Sequence, residues 1–262
     1  MVSDQPTATI QFEPAEETHV VKRLVGPISA VAVAGLGVLL GNSAPPASAQ
    51  PCPDVEVVFA RGTGEPPGIG PTGQAFADSL RQRLGDKSFS VYPVNYPATD
   101  QWSTGVDGIR DAGAHVTKTA ADCPDTKMVL GGYSQGAAVM GFVTSAAVPD
   151  GVDPATVPKP LQPEVAEKVA AVVLYGTPNI RAMNFLGEPP IVIGQQYQGK
   201  TLKVCAPEDA VCSDGMNFAV HTSAGYDGLI NQGVDFAADH LGLQPASSTV
   251  PPNQWDHPPA NP

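Results

Sequence analysis

The chain has 262 residues, with 14 Lys and Arg against 26 Asp and Glu, a formal charge of −12 and no basic cluster. That balance argues against nucleic acid and against electrostatic docking to anionic lipid, so any contact with lipid has to be apolar. The length admits one large or two small domains.

Taken from the N-terminus, Lys22-Arg23 precede an apolar run from Leu24 to Leu40, and the stretch Ala44 to Ala49 ends in an A-x-A pattern. This predicts a secretory signal over residues 1–49, cleaved after Ala49. A retained membrane anchor is the alternative, on a run shorter than the ~20 residues that span a bilayer. The residues ahead of Lys22 are acidic and polar, unlike an ordinary signal start, which leaves open a translation start downstream of Met1. The roughly 210 residues beyond the cut suffice for one well-buried core. Residues 50–244 are expected to form that domain, and 245–262, rich in proline, serine and asparagine, a disordered tail. Export implies an oxidising compartment, and Cys52, Cys123, Cys205 and Cys212 are even in number, so two disulfides are expected. With no C-x-x-C and no histidine at finger spacing, no metal site is expected.

Short, largely β-branched apolar runs recur at Val55-Phe59, Phe89-Val94, Met128-Leu130, Val169-Tyr175 and Thr201-Val204. Between them, Gly73-Leu84, Val106-Ala121 and Gln135-Ala147 read as helices, and Leu229-Leu241 as a last helix closing one face. Such alternation predicts a mostly parallel five-stranded sheet with helices on both faces, its ligands bound at the carboxyl ends of the strands.

The third run leads into Gly132-Tyr133-Ser134-Gln135-Gly136, followed by a small-residue helical stretch. A serine hydroxyl is a poor nucleophile unless held in the open, beside a base and at a helix N-terminus. Strand, sharp turn and helix with flanking glycines are the mechanics of a nucleophile elbow, so the fold class is α/β, of α/β-hydrolase type. The chain order there is serine, acid, histidine. Downstream of Ser134 stand His221, His240 and His257. His257 lies in the proline-rich tail, and His240 ends the last helix, where an imidazolium simply favours the dipole. His221, in a loop beyond the last strand, is the expected base. Among the acids Asp209 stands apart, because it lies between Cys205 and Cys212, where a bridge would clamp it on a short rigid loop. Glu208 is the neighbouring alternative. The Gln135 amide supplies one oxyanion donor, and Thr63, in the glycine-rich loop after the first strand, is expected to supply the second. Gly62-x-Gly64 also begins a dinucleotide fingerprint. Pro66-Pro67 interrupts it, and no acid ends the second strand near Val94-Asn95.

With Ala60-Arg61-Gly62-Thr63, Tyr96-Pro97-Ala98, Gly131 to Ala137, the Cys205-x-x-x-Asp209-x-x-Cys212 bracket and His221, the stretch from Cys52 to Leu241 resembles cutinases and the cutinase-like esterases of actinobacteria. The resemblance implies Ser134, Asp209 and His221 as catalytic residues, Thr63 and Gln135 as oxyanion donors, and disulfides Cys52–Cys123 and Cys205–Cys212. Two segments depart from fungal cutinases: Val148-Pro163 is longer and proline-rich, and Asn179-Gln198 is extended and apolar. The apolar residues of the second, Phe185 and Ile191 among them, are expected either at the lip of the cleft or in a satellite core. The implied protein is a secreted, monomeric serine esterase, extracellular or wall-associated. It acts on small-molecule or lipid esters of short to medium acyl chains, without cofactor or stable protein partner. An acetylxylan esterase and a non-catalytic surface protein on the same scaffold are the alternatives.

Overall fold

A computed structural model describes residues 51–243. The signal and tail expectations, 1–49 and 245–262, lie outside the described residues. Five strands, β1 (Val55–Ala60), β2 (Phe89–Pro93), β3 (Lys127–Tyr133), β4 (Val169–Tyr175) and β5 (Thr201–Val204), form one sheet in the order β2-β1-β3-β4-β5. All four pairings are parallel. The helices are α1 (Gly70–Arg83), α2 (Gly105–Asp122), α3 (Gln135–Val143), α4 (Pro163–Ala166), α5 (Ile180–Leu186), α6 (Gln195–Gln198), α7 (Ser223–Tyr226) and α8 (Ile230–His240).

Because successive strand residues point to opposite faces, β1 sends Val55, Val57 and Phe59 into one core and Val58 and Ala60 into the other. The first core is completed by Phe76 and Leu80 of α1 and Val234 and Ala237 of α8, the second by Ala112 and Val116 of α2 and Val139 and Met140 of α3. Strands covered on both faces have no solvent side to require alternation, which is why they read as continuous apolar runs. Glu56 of β1 is the polar exception; its buried carboxylate accepts hydrogen bonds from Thr119 and Ser90 and pairs with His115 at 3.0 Å.

The sequence reading placed β4 and β5 at their observed limits and the others within a few residues. The nucleophile helix was drawn too long: it stops at Val143, not Ala147. Its propensity does not fail there. Instead the Thr144 carbonyl accepts the Gly194 amide and the Ser145 hydroxyl donates to the Val192 carbonyl, which turns the chain away. The segment Asn179-Gln198 holds two short helices, α5 and α6. Met183 and Tyr197 are buried, whereas Ile180, Phe185 and Val192 stand exposed.

Candidate active site

β3 ends at Tyr133 and α3 begins at Gln135, leaving one residue to reverse direction. Ser134 takes that position with φ +53° and ψ −118°, a conformation side chains rarely adopt, and its amide donates to the Tyr175 carbonyl of β4. The turn closes only because its flanks lack side chains. A Cβ on Gly132 would overlap the Gly136 carbonyl, and one on Gly136 would overlap the backbone carbonyls of Ala60 and Arg61. The hydroxyl is therefore raised at the head of α3, above the strand ends.

His221 follows a short 3-10 turn, Phe218–Val220, on the other side of the cleft. Its Nε2 lies 2.8 Å from Ser134 Oγ and its Nδ1 2.7 Å from Asp209 Oδ2. A carboxylate on Nδ1 selects the tautomer that leaves Nε2 free to accept the serine proton. Asp209 is fully buried. Burial works to raise its pKa, but hydrogen bonds from the Tyr226 hydroxyl (2.6 Å), from His221 and from the Val211 amide (2.8 Å) outweigh it and hold the carboxyl below its ordinary value. The structure thus brings Ser134, Asp209 and His221 into one chain of hydrogen bonds. Glu208, the alternative acid, has φ +63° and hands its carbonyl to the Asn217 amide. His240 bonds the Phe236 carbonyl within its own helix, and His257 lies outside the described residues.

The two expected disulfides are both formed, Cys52–Cys123 and Cys205–Cys212, so no thiol is left to ligate zinc. The second brackets Asp209 as expected. The loop it closes is also held from α5, a contact absent from the sequence reading. Asn179 donates from Nδ2 to the Ser213 carbonyl, and Arg181 from Nη2 to the carbonyls of Ala210, Ser213 and Gly215.

Gln135 is the first residue of α3, so its amide has no partner within the helix. Thr63 is exposed in a turn anchored on both sides, by Gly62 N–H to Glu65 Oε2 and by Gly64 N–H to the Ala98 carbonyl. Among the described residues no hydrogen bond engages the Thr63 amide or hydroxyl. Buried Arg61 fastens the base of this loop, donating to the carbonyls of Glu65, Tyr96 and Pro97. Arg61 and Tyr96 stood in the resembling motifs without an assigned task; their task is to hold the Thr63 turn against the loop that follows β2.

Three supporting residues escaped the sequence reading. Tyr226 donates to Asp209 from α7, Tyr133 stacks on the His221 ring at 5.4 Å, and Glu65 accepts the Ser223 hydroxyl, tying the Thr63 loop to the segment beside the base. Burial first, then nearby carboxylates, pushes both tyrosines well above their usual pKa, so each stays neutral and Tyr226 remains a donor. Tyr133 occupied the variable position of the G-x-S-x-G motif. Nothing in the spacing of Tyr226 or Glu65 marked them.

The family model Cutinase matches residues 51–241. Probable carboxylesterase Culp5 of Mycobacterium tuberculosis is 55% identical over 167 residues, covering 64% of this chain and 95% of that protein. Phospholipase Culp4 of the same organism is 42% identical over 221 residues, covering 84% of this chain and 92% of its own. An iodinated complex of acetyl xylan esterase superposes with a TM-score of 0.61 at 25% identity, over 73% of this chain and all of that one. The chain belongs to the cutinase family.

Proposed function

We propose that this chain is a secreted serine esterase working through an acyl-enzyme, and the observation that carries the reading is the continuous hydrogen-bond chain Asp209, His221, Ser134, at 2.7 and 2.8 Å. It is a carboxylic ester hydrolase of cutinase type. His221 Nε2 takes the Ser134 proton as Oγ attacks the ester carbon, and Asp209 stabilises the imidazolium that forms. The amides of Gln135 and Thr63 receive the negative charge on the former carbonyl oxygen. The tetrahedral intermediate collapses as the imidazolium protonates the leaving alcohol. A water deprotonated by His221 then attacks the acyl-enzyme and releases the acid.

The reading needs one chain, an ester substrate and no cofactor. Two disulfides suit an oxidising, extracellular location. Relatives named carboxylesterase and phospholipase support carboxylic esters, lipid esters included, as the substrate class; the reading takes these to be esters of short to medium acyl chains, those of a cell envelope among them. An acetyl-selective esterase is the alternative favoured by the fold likeness to acetyl xylan esterase. Comparing acetate with longer esters separates the two.

Labelling with a fluorophosphonate tests the nucleophile and rules on a non-catalytic scaffold. Wild type is expected to label at Ser134, and Ser134→Ala to lose both the label and about 10⁶-fold in rate. A purified Ser134→Ala protein that keeps more than about a hundredth of the wild-type rate overturns the assignment.

A further inference from the structure

Four consecutive carbonyls follow β2, those of Tyr96, Pro97, Ala98 and Thr99, and each accepts a hydrogen bond from an element that carries an oxyanion candidate. Tyr96 and Pro97 accept from Nη2 of Arg61, at 2.6 and 3.3 Å. Ala98 accepts the amide of Gly64, the residue after Thr63, at 2.7 Å. Thr99 accepts Nε2 of Gln135 at 2.9 Å, from the side chain of the residue whose amide heads α3. The chain changes direction at Ala98, which takes φ +53° although it carries a side chain. Gln135 is 1% exposed, and its Oε1 has no partner among the described residues, so the tie to Thr99 is the one hydrogen bond shown for its side chain. Only the nitrogen end of an amide can face a carbonyl, so that tie also fixes which way the side chain points.

We propose that the 96–99 segment sets the separation of the two oxyanion donors, with the Gln135 side chain and Ala98 as its positioning residues. This rests on the Ser134 esterase reading and concerns how that site holds developing charge. The donors belong to different elements, Thr63 to the loop after β1 and Gln135 to the head of α3. Each has to lie about 2.7–3.1 Å from the oxygen of the tetrahedral intermediate, so a relative shift of the two elements weakens their bonds when the charge appears. Packing of Gly136 on the Ala60 and Arg61 carbonyls limits how near α3 comes to the end of β1, but that contact lies ahead of the Thr63 turn. Ala98 and Thr99 act on the donors' own surroundings. Through adjacent carbonyls of one covalent segment they hold Gly64 on one side and Gln135 on the other. The left-handed turn at Ala98 aims its carbonyl at Gly64 while the Pro97 carbonyl stays on Arg61. Neither side chain supplies a reacting atom; both act through the placement of the two amides.

Gln135→Met keeps the backbone amide and the side-chain length and removes the tie. Trp102, Val106, Val139 and Met183 line the space beside Gln135 and give the new end apolar neighbours. Ala98→Val and Ala98→Gly test the turn, since a β-branched residue resists φ +53° and glycine adopts it freely. kcat and KM are measured for p-nitrophenyl butyrate, together with the melting temperature and the Ki of butylboronic acid, whose tetrahedral adduct with Ser134 puts a boronate oxygen between the donors. Gln135→Met is expected to lower kcat about 10- to 100-fold, short of the loss of a whole donor, with KM within about twofold and boronate binding weakened in parallel with kcat. Ala98→Gly is expected to keep at least about ten times the kcat of Ala98→Val. Fluorophosphonate labelling of wild type at Ser134 tests the esterase reading by itself. If wild type labels and turns over while folded Gln135→Met keeps kcat within about twofold, this proposal alone is overturned. A fall in kcat with unchanged boronate affinity also overturns it, because the side chain then serves something other than the donors. Equal kcat in folded Ala98→Gly and Ala98→Val overturns the role of Ala98. Should Ala98→Val fail to fold, kcat and Ki of Gln135→Met decide.

Discussion

The elbow at Ser134 and the loop at Asp209 both present one side chain to His221, but they are held by opposite means. The elbow is fixed by steric exclusion: a Cβ on Gly132 would meet the Gly136 carbonyl, one on Gly136 would meet the carbonyls of Ala60 and Arg61, and the serine between them is held at φ +53°. The acid loop is fixed by polar ties from elsewhere, namely a seven-residue disulfide span, Arg181 and Asn179 from α5 and Tyr226 from α7. A steric device has no redundancy, because one added methyl has nowhere to go. A polar device assembled from several contacts loses them one at a time. The first should therefore break outright under a minimal change, and the second should degrade in steps.

Gly136→Ala is the sharpest way to break the elbow. The new Cβ meets backbone carbonyl groups of Ala60 and Arg61, which cannot rotate aside like a side chain, so α3 has to shift away from β1. Overpacking of this kind costs about 1–3 kcal/mol or more. A shift of about 1 Å at the nucleophile is worth about 10²-fold in rate. The expected result is a loss of at least that size on every ester, with a lowered melting temperature. Near-normal kcat/KM would show that the turn has slack.

Tyr226→Phe removes the hydroxyl that donates to Asp209, and with it the acceptor of the Ala206 amide at 3.3 Å, without creating a cavity. A hydrogen bond to a charged group is worth about 1.5–3 kcal/mol, so a loss near 2 kcal/mol is expected, with about a tenfold fall in kcat as Asp209 and the His221 ring loosen. The pH dependence identifies the cause. Asp209 has a depressed carboxyl, so its contribution to stability is complete above the unfolded value near 3.8 and disappears as pH falls through the lower folded value. Removing the Tyr226 donor moves that folded value up, so the mutant loses stability at higher pH than wild type on acid titration. Unfolding curves from pH 7 down to pH 2 should show the gap between the two proteins full at neutral pH and closing below about pH 4. A gap independent of pH would mean that the hydroxyl acts through its neutral contacts, the Ala206 amide among them, and not through the Asp209 carboxylate.

The same contrast explains how much was legible in the sequence. The elbow could be read from Gly132 to Gly136 because its determinants are contiguous, and the parallel sheet because strands buried on both faces announce themselves as apolar runs. Asp209 was legible through the cysteines that bracket it. Tyr226, Arg181 and Glu65 were not, since each acts across a turn of the fold and its spacing from Asp209 or Gly62 follows no period. The end of α3 was misread for a related reason: Thr144 and Ser145 are drawn off by residues some fifty positions later, which no local propensity reports.

Redundancy in the acid loop gives the smallest and most specific effect. Loop entropy assigns the Cys205–Cys212 bridge about 2 kcal/mol for its separation of 7, against about 4 kcal/mol for Cys52–Cys123 at 71. Arg181 is exposed and bonds only backbone carbonyls that water can also satisfy, so Arg181→Ala alone should cost less than about 1 kcal/mol and change kcat/KM less than twofold. With the bridge intact, the Asp209 carboxylate barely senses the arginine. In a Cys205→Ser/Cys212→Ser background the guanidinium is one of the few remaining restraints on the 208–215 backbone. Its removal there should lower kcat several-fold further while the added stability loss stays small. A double-mutant cycle on kcat reads this directly: a coupling of about 0.5–1 kcal/mol between bridge and arginine is expected. If the two changes are additive within about 0.3 kcal/mol, bridge and arginine act on different parts of the loop and the arginine does not back up the bridge in positioning Asp209.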